Sequence, residues 1–398
     1  MLKISIVDNE EGLERLQVEW TQLLQQSSSD TIFLTWEWAR AWWKSFGGGK
    51  KLCILKVAKN GELVALVPLY YKSFHRFGLF RYRGLYLIGD GSADSDYLDV
   101  IVRTGEEELV AQATVEFLVT HRNQWDILFL NEVPSVSPNL RLFRQLLREE
   151  ACYWEEVELP RPYVALPSCW DDYLKSLKPR KRKHILYFTR RLEQNFNVHF
   201  DYCQHAGELE PRLESLFALH GQRWRLKGEA GTFISAARRG LYQEISALFL
   251  SRGWLRFYSL AVNGHYVAHQ YCFKYQNTMF VLQEGFDPTW AQYDIGNVLR
   301  TYVFRDCIEK KVTVYDFLGA VTPHKLSWGV AIKQSVRIAS GLPTTKNRIF
   351  FSQRKAATSV KEGLKTILPE TVLARVWSLR TRGLFAIIRS WWRQQRRR

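Results

Sequence analysis

Two Asn-Gly dipeptides, each set between alternating apolar runs, constrain this chain more than any other feature. They sit in LKVAKNGELVALVPL (55–69) and YSLAVNGHYVAHQYC (258–272), 203 residues apart. Ala58, Asn60, Gly61, Val64 and Ala65 of the first stretch match Ala261, Asn263, Gly264, Val267 and Ala268 of the second. Asn-Gly suits a type I′ turn because both central residues must adopt positive φ, which these two residue types tolerate best. Each stretch therefore predicts a β-hairpin. Two hairpins can look alike by chance, so neighbouring elements must carry the case for a repeat.

Helical periodicity precedes both hairpins, in TWEWARAWWKSF (35–46) and ESLFALHGQRWRL (214–226). After the second hairpin come an apolar strand, TMFVLQEGF (278–286), a polar turn, a helix over IGNVLRTYVFRDCIEKK (295–311) and a strand in VTVYDFLG (312–319). That order predicts a mixed α/β (α+β) unit with antiparallel hairpins and one strand–helix–strand crossover. The first half is expected to repeat it less completely. A chain of 398 residues exceeds one ordinary core, so two domains of roughly 150 to 200 residues are expected. Three prolines in LPRPYVALPSCW (159–170) interrupt both periodicities and place a boundary near residue 160. Strand-like alternation stops again after SVRIASGLPTTKNR. The expected organisation is thus 1–160, 161–343 and a basic tail, 344–398.

The net charge of +16 is segregated. Residues 344–398 hold 14 Lys and Arg against Glu362 and Glu370, so +12 lies in the tail and only +4 in the rest. The globular part therefore does not call for a polyanionic partner. Six widely spaced cysteines with no CxxC pair argue against zinc, other metal or a disulfide framework and fit a reducing cytoplasm. No apolar run approaches 18 residues and the start, MLKISIVDNEEGLERL, lacks a signal core, so the chain is expected neither to cross nor to leave the membrane.

Candidate site residues cluster in the second half. Gly296, followed by Asn297 and Val298, opens a helix where free N–H groups and the positive dipole end favour phosphate oxygens. A glycine at a helix start is more often simple turn chemistry. A carboxylate of raised pKa at a strand end could serve as a general base, and Glu284 fills that place. Its bland alternative is a solvated strand-end acid. Asp287 precedes Pro288 and suits a turn better than catalysis. Asp316 and Lys325 are a candidate ion pair. His220 and Arg223, three apart on one helical face, could together present to an anionic ligand, against the commoner reading of a structural histidine. Trp224 is read as core. The cluster of Lys178, Arg180, Lys181, Arg182, Lys183, Arg190 and Arg191 suits a phosphate-rich ligand or a merely solvated helix face.

From Leu216 to Trp328 the chain resembles the BioF-like acetyltransferase family, CelD (BcsL)-type proteins with a GNAT-like fold related to the FemAB peptidyltransferases. The resemblance runs in order through LHGQRW (219–224), Gly228 and Phe233, NGHYVAHQYCF (263–273), GFDPTWAQYDIGNVL (285–299) and YDFLGAVTPHKLSW (315–328), with LKPRKRKHILYFTRRLEQ (177–194) before them. FLTWEWARAWW (33–43) and GELVALVPLYYK (61–72) look like the family's amino-terminal region. His324 stands where the family tends to have Tyr, and Gly296 has no second glycine two positions on. The resemblance implies tandem GNAT-like domains with mixed, mainly antiparallel sheets and an acyltransferase acting on an amine of a sugar, lipid-linked or exopolysaccharide precursor. It also implies acyl-CoA as co-substrate, with the catalytic candidates above and Gly296, Asn297, Val298, Arg223, Arg180 and Lys181 toward the donor. FemAB relatives use aminoacyl-tRNA, so a tRNA-borne donor is the enzymatic alternative and a silent scaffold the non-enzymatic one.

The tail segment TVLARVWSLRTRGLFAIIRSWWRQQRRR (371–398) spaces Arg among Leu, Ile, Phe and Trp. That pattern predicts an amphipathic helix on the anionic inner face of the cytoplasmic membrane; DNA is not expected, because interleaved apolar residues fit lipid better than duplex phosphates.

Overall fold

A computed structural model describes residues 2–76, 80–92, 94–150, 152–226 and 228–367. The described residues divide into two units, one ending at Gly341 and one beginning at Leu342. The interfacial segment expected at 371–398 lies outside the described residues. In the second unit helix α12 (Thr345–Ile367, numbered after those below) begins where Thr344 Oγ1 accepts from Asn347 N–H at 3.2 Å.

The first half of the larger unit runs β1 (Leu2–Val7), α1 (Glu10–Arg15), α2 (Gln17–Gln25), α3 (Trp36–Phe46), β2 (Lys51–Lys59), β3 (Glu62–Arg76), β4 (Phe80–Leu87), a short β5 (Ile101–Val102), α4 (Glu107–Thr120), β6 (Ile127–Pro134), α5 (Pro138–Glu149) and β7 (Tyr153–Ala165). Helices α6 (Trp170–Ser176) and α7 (Pro179–Asn195) connect it to the second half. There follow β8 (Val198–Tyr202), α8 (Leu209–Leu226), α9 (Ala236–Ser251), β9 (Leu255–Val262), β10 (His265–Tyr275), β11 (Thr278–Phe286), α10 (Ile295–Glu309), β12 (Val314–Asp316), α11 (Pro323–Leu326) and β13 (Ala331–Gly341). Apart from the two-residue β5 and the break at Leu16 that divides α1 from α2, the halves share one element order, so the first repeats it in full rather than partly.

Both predicted hairpins form, as β2–β3 and β9–β10. Asn60 and Gly61 have φ of 53° and 91°, Asn263 and Gly264 52° and 83°, the positive values a type I′ turn needs. In each hairpin the register then slips by one residue, leaving buried Val64 in β3 and buried Val267 in β10 as the extra residue of a bulge. These valines are also 203 apart, and chance likeness of two hairpins does not account for a shared bulge.

One sheet runs through the unit in the order β1-β2-β3-β4-β6-β13-β7-β12-β11-β10-β9-β8, with β5 paired to β3. Each half sends its last strand into the other. β7 pairs with β12, β13 pairs with β6, and β7 and β13 pair with each other along the length of β13. The proline-rich stretch at 159–170 was expected to break periodicity, yet its first part is strand β7. Phe317 N–H donates to Pro162 O, so Pro162, and Pro160 by alternation, turn their nitrogens away from β13 to the side where β12 reaches only Tyr163–Ala165. No ladder hydrogen bond is lost there, which is where a sheet tolerates proline.

The second-half core packs α10, through Val298, Leu299, Val303, Phe304 and Cys307, with Ile185 and Leu192 of α7 and with Ala268 and Cys272 of β10. Helix α8 packs closely on β11 at Gly285, where a Cβ would lie 3.1 Å from Leu216 O and 3.2 Å from His220 N. Backbone of a packed helix yields little. Gly285→Ala is expected to destabilise the protein by about 1–3 kcal/mol, the usual range for overpacking, seen as a lower urea midpoint at unchanged slope; an unchanged midpoint would show that α8 moves freely.

Candidate active site

Strands β11 and β12 are parallel neighbours only from Thr278–Phe280 and Val314–Asp316. Beyond that they part. β11 continues to Phe286 past a bulge at Leu282, while the chain after Asp316 turns away at Leu318 and Gly319, whose φ values of 50° and 54° end the strand expected to run to residue 319. A cavity of about 560 Å³ opens between them, lined by Glu284–Phe286, the start of α10, Arg223 of α8 and the Thr322–Lys325 segment.

Its floor is a connected polar network. Gln270 on β10 lies opposite Glu284 on β11, and Gln270 Nε2 donates to Glu284 Oε1 at 2.5 Å while its Oε1 accepts from Tyr315 Oη at 3.2 Å. Arg300 of α10, nearly without solvent exposure, donates to the same carboxylate and stands over Phe317 and Trp328 at 5.3 and 5.4 Å from the ring centroids. His324 Nε2 lies 3.2 Å from Arg300 Nη1 and 2.9 Å from Asn297 Oδ1; its tautomer decides whether it accepts from the first or donates to the second. Asn297 Nδ2 donates to Asp294 Oδ2 at 2.7 Å, and His184 Nε2 lies 2.6 Å from that oxygen. Lys181 reaches in from α7, its Nζ 3.4 Å from Asn297 Oδ1 and 4.0 Å from the centre of the Trp328 ring.

Burial alone would raise the Glu284 pKa, but the charge and hydrogen bond of Arg300, joined by the charge of Arg223, help hold the carboxylate below its ordinary value. The raised pKa expected for a carboxylate base is therefore not found, because the sequence does not show that Arg300 faces it. Burial, then Arg300, pushes His324 down to about 4 and Lys181 down to about 8; burial lowers Lys325 as well. His324 is thus a neutral imidazole at neutral pH.

Other expected residues separate. Asp316 and Lys325 do not pair: buried Asp316 accepts from Tyr97 Oη at 2.9 Å and Lys333 Nζ at 2.7 Å, whereas Lys325 Nζ donates to the carbonyls of Phe317, Leu318 and Ala320 at 3.3, 2.6 and 3.0 Å. Lys325 still lines the cavity. His220 and Arg223 do not act on one ligand face. His220 is buried, accepts from Trp224 Nε1 at 2.8 Å and is pushed to about 4 by burial, while Arg223 lines the cavity over the Phe286 ring. Asp287 caps the 3₁₀ turn Pro288–Tyr293 by accepting from Thr289 N–H at 2.9 Å, the turn role expected of it. That turn, and Asp294 in the left-handed region, stand between β11 and α10, so the strand does not hand over directly at Gly296. The N–H groups of Asn297 and Val298 bond to Asp294 O, and Val298 is core; Ile295 and Gly296 keep N–H groups without a partner among the described residues. Arg180 is exposed on α7.

Arg300, Gln270 and Tyr315 were not anticipated. The available signal was an arginine four residues from Gly296 and from Phe304, on one stripe of α10; the Gln270 and Tyr315 partnerships needed the strand register.

Two histidines in this half are buried in neutral form: His220, and His269, whose ring nitrogens lie 2.9 and 2.8 Å from Ser259 and Ser215 hydroxyls and whose pKa burial lowers to about 3. Unfolding exposes both to protonation at about 6.5, so below that pH the unfolded chain binds more protons and stability is lost as pH falls toward 4. The expected slope is up to about 1.4 kcal/mol per pH unit for each histidine. Urea unfolding between pH 7 and 5 should show this loss, and His269→Gln should make it shallower; equal slopes in both proteins would contradict neutral burial.

Residues 179–326 match the family model for the acetyltransferase (GNAT) domain. Among solved structures, the crystal structure of FemX is 12% identical, with 81% of this chain and 95% of that one covered and a TM-score of 0.58. A conserved protein of unknown function from Bacteroides thetaiotaomicron is 14% identical over 85% and 100% of the two chains, with a TM-score of 0.55. At these identities the likeness is one of fold. A search of curated proteins finds no relative. Residues 179–326, which build the cavity, are a GNAT acetyltransferase domain, and the chain is an N-acyltransferase of the GNAT type.

Proposed function

We propose that the protein moves an acyl group from acyl-CoA to an amine of a sugar or other envelope or exopolysaccharide precursor. The observation that carries the donor assignment is the start of α10: unbonded N–H groups of Ile295 and Gly296 at the cavity wall, with Arg223 and Lys181 beside it. Such a helix start favours phosphate oxygens, and a glycine keeps its backbone near Phe286, whose ring a Cβ at Gly296 would meet at 3.3 Å. Exposed Arg180 would serve the donor at longer range. The CelD-type resemblance of YDFLGAVTPHKLSW supports a polysaccharide-related acceptor.

On the acceptor side, the amine enters the cavity unprotonated, its ammonium proton lost to solvent, and ionised Glu284 orients it by accepting an N–H hydrogen bond. As the amine nitrogen bonds to the acyl carbonyl carbon, the C–S bond to CoA breaks, and the proton lost by the nitrogen passes by way of the neutral His324 imidazole to the departing thiolate. Glu284, already engaged by Arg300 and Gln270, is assigned to binding and orientation. Lys325, with three carbonyls on its ammonium, holds the cavity wall; Asp316 and His220 support the fold around it, and Asp287 shapes the turn. Asn297 positions His324 and Lys181.

A thermal-shift titration with acetyl-CoA, longer acyl-CoAs and free CoA tests the donor. Binding to the folded state alone stabilises by about 2.7 kcal/mol at a hundredfold excess over Kd, so the melting temperature should rise with dose. Arg223→Ala and Lys181→Ala should each shift the curve to higher ligand concentration. No rise at millimolar ligand would reject CoA and favour an aminoacyl-tRNA donor.

A further inference from the structure

We propose that the rim of this cavity docks on an anionic lipid bilayer, so that the cavity opens onto lipid headgroups. This goes beyond the acyl-transfer reading and does not depend on it. Isolated exposed apolar residues are ordinary on a soluble surface. The rim differs because three separate elements each expose a large apolar side chain within about a turn of a residue that lines the cavity or bonds to its wall. On α8, Arg223 lines the cavity and Leu226, three residues on, is 74% exposed. On α11, Lys325 lines it and Leu326 is 51% exposed. Helix α7 is joined to the wall by Lys181 on Asn297 and His184 on Asp294, and next to His184 it exposes Leu186 and Tyr187, at 41% and 58%.

Cations accompany these side chains. Arg180, Lys183, Tyr187 and Arg190 recur at three- and four-residue spacing along the exposed face of α7, and none of the three cations meets a carboxylate among the described residues. Glu193, the helix's one acid, accepts from Tyr302 Oη at 2.5 Å. Apolar side chains that enter the headgroup boundary, combined with cations that attract anionic lipid, are the two parts of interfacial binding. Nucleic acid would reward the cations alone and leave Leu186, Leu226 and Leu326 in water. The combination therefore selects the bilayer.

The test is hydrogen–deuterium exchange on the full chain, with and without phosphatidylglycerol vesicles, using phosphatidylcholine vesicles and bulk tRNA as comparisons. Expected is slower exchange in residues 180–190, 223–228 and 323–327 with phosphatidylglycerol only. Slowing confined to residues 342–398, no slowing, or slowing with tRNA but not with phosphatidylglycerol would each overturn the proposal. In parallel, Lys183→Glu/Arg190→Glu, both on solvent-exposed positions, should weaken cosedimentation with phosphatidylglycerol vesicles by at least about tenfold, since each of the two cations near such a surface is worth roughly fivefold. Undiminished cosedimentation accompanied by an unchanged exchange pattern would contradict it.

Discussion

The exchange of β7 and β13 is the constraint on which the rest of the larger unit depends. Because each strand completes the sheet of the other half, neither half closes its sheet alone. Three strands meet there through charge: Arg161 of β7 pairs with Asp96 at 2.9 Å and also with Glu132 of β6, which pairs with Arg337 of β13 at 2.8 Å. Removing one member of such a group strands a charge, at a cost of about 3–5 kcal/mol when it is buried. The first half also reaches the cavity wall through the same seam. Asp96 accepts from Gly319 N–H at 3.3 Å and Tyr97 donates to Asp316, so the turn after β12 is held from one side by the first half and from the other by Lys325. The repeat is thus more than a duplicated fold, because one copy shapes the cavity wall of the other.

The same electrostatic logic governs the cavity. A guanidinium as buried as that of Arg300 needs a counterion, and Glu284 supplies it, which keeps the carboxylate ionised beside the neutral imidazole of His324. Gln270 donates to the same carboxylate and is itself held by Tyr315, so the charge is fixed in place before any ligand arrives. Preorganisation of this kind is what acyl transfer asks of a protein: dipoles set where charge will develop.

Much of this was legible in the sequence because it depends on local chemistry. The Asn-Gly turns, the helix over 35–46, the strand at 278–286 and the α10 start at Ile295 follow from periodicity and turn preference, and they appear where expected. What depends on register or on distant partners was not legible. Prolines 160 and 162 read as breakers because nothing in the chain tells that their nitrogens face an unpaired strand side. Asp316 and Lys325 suited each other by charge and by sequence distance, yet Lys333 and Tyr97 arrive from β13 and the first half to claim the aspartate. Glu284 was visible as a carboxylate at a strand end, but its proton affinity is set by Arg300, sixteen residues away on another element.

The account's central claim is that the donor occupies the space between β11 and the turn after β12, in the second half. Photo-crosslinking with an aryl-azide CoA analogue, followed by peptide mapping, locates it directly. Labelling should fall in 284–300 and around Lys181, and excess CoA should abolish it; CoA-displaceable label in residues 1–160 instead would contradict the claim and move the working site to the other copy of the repeat.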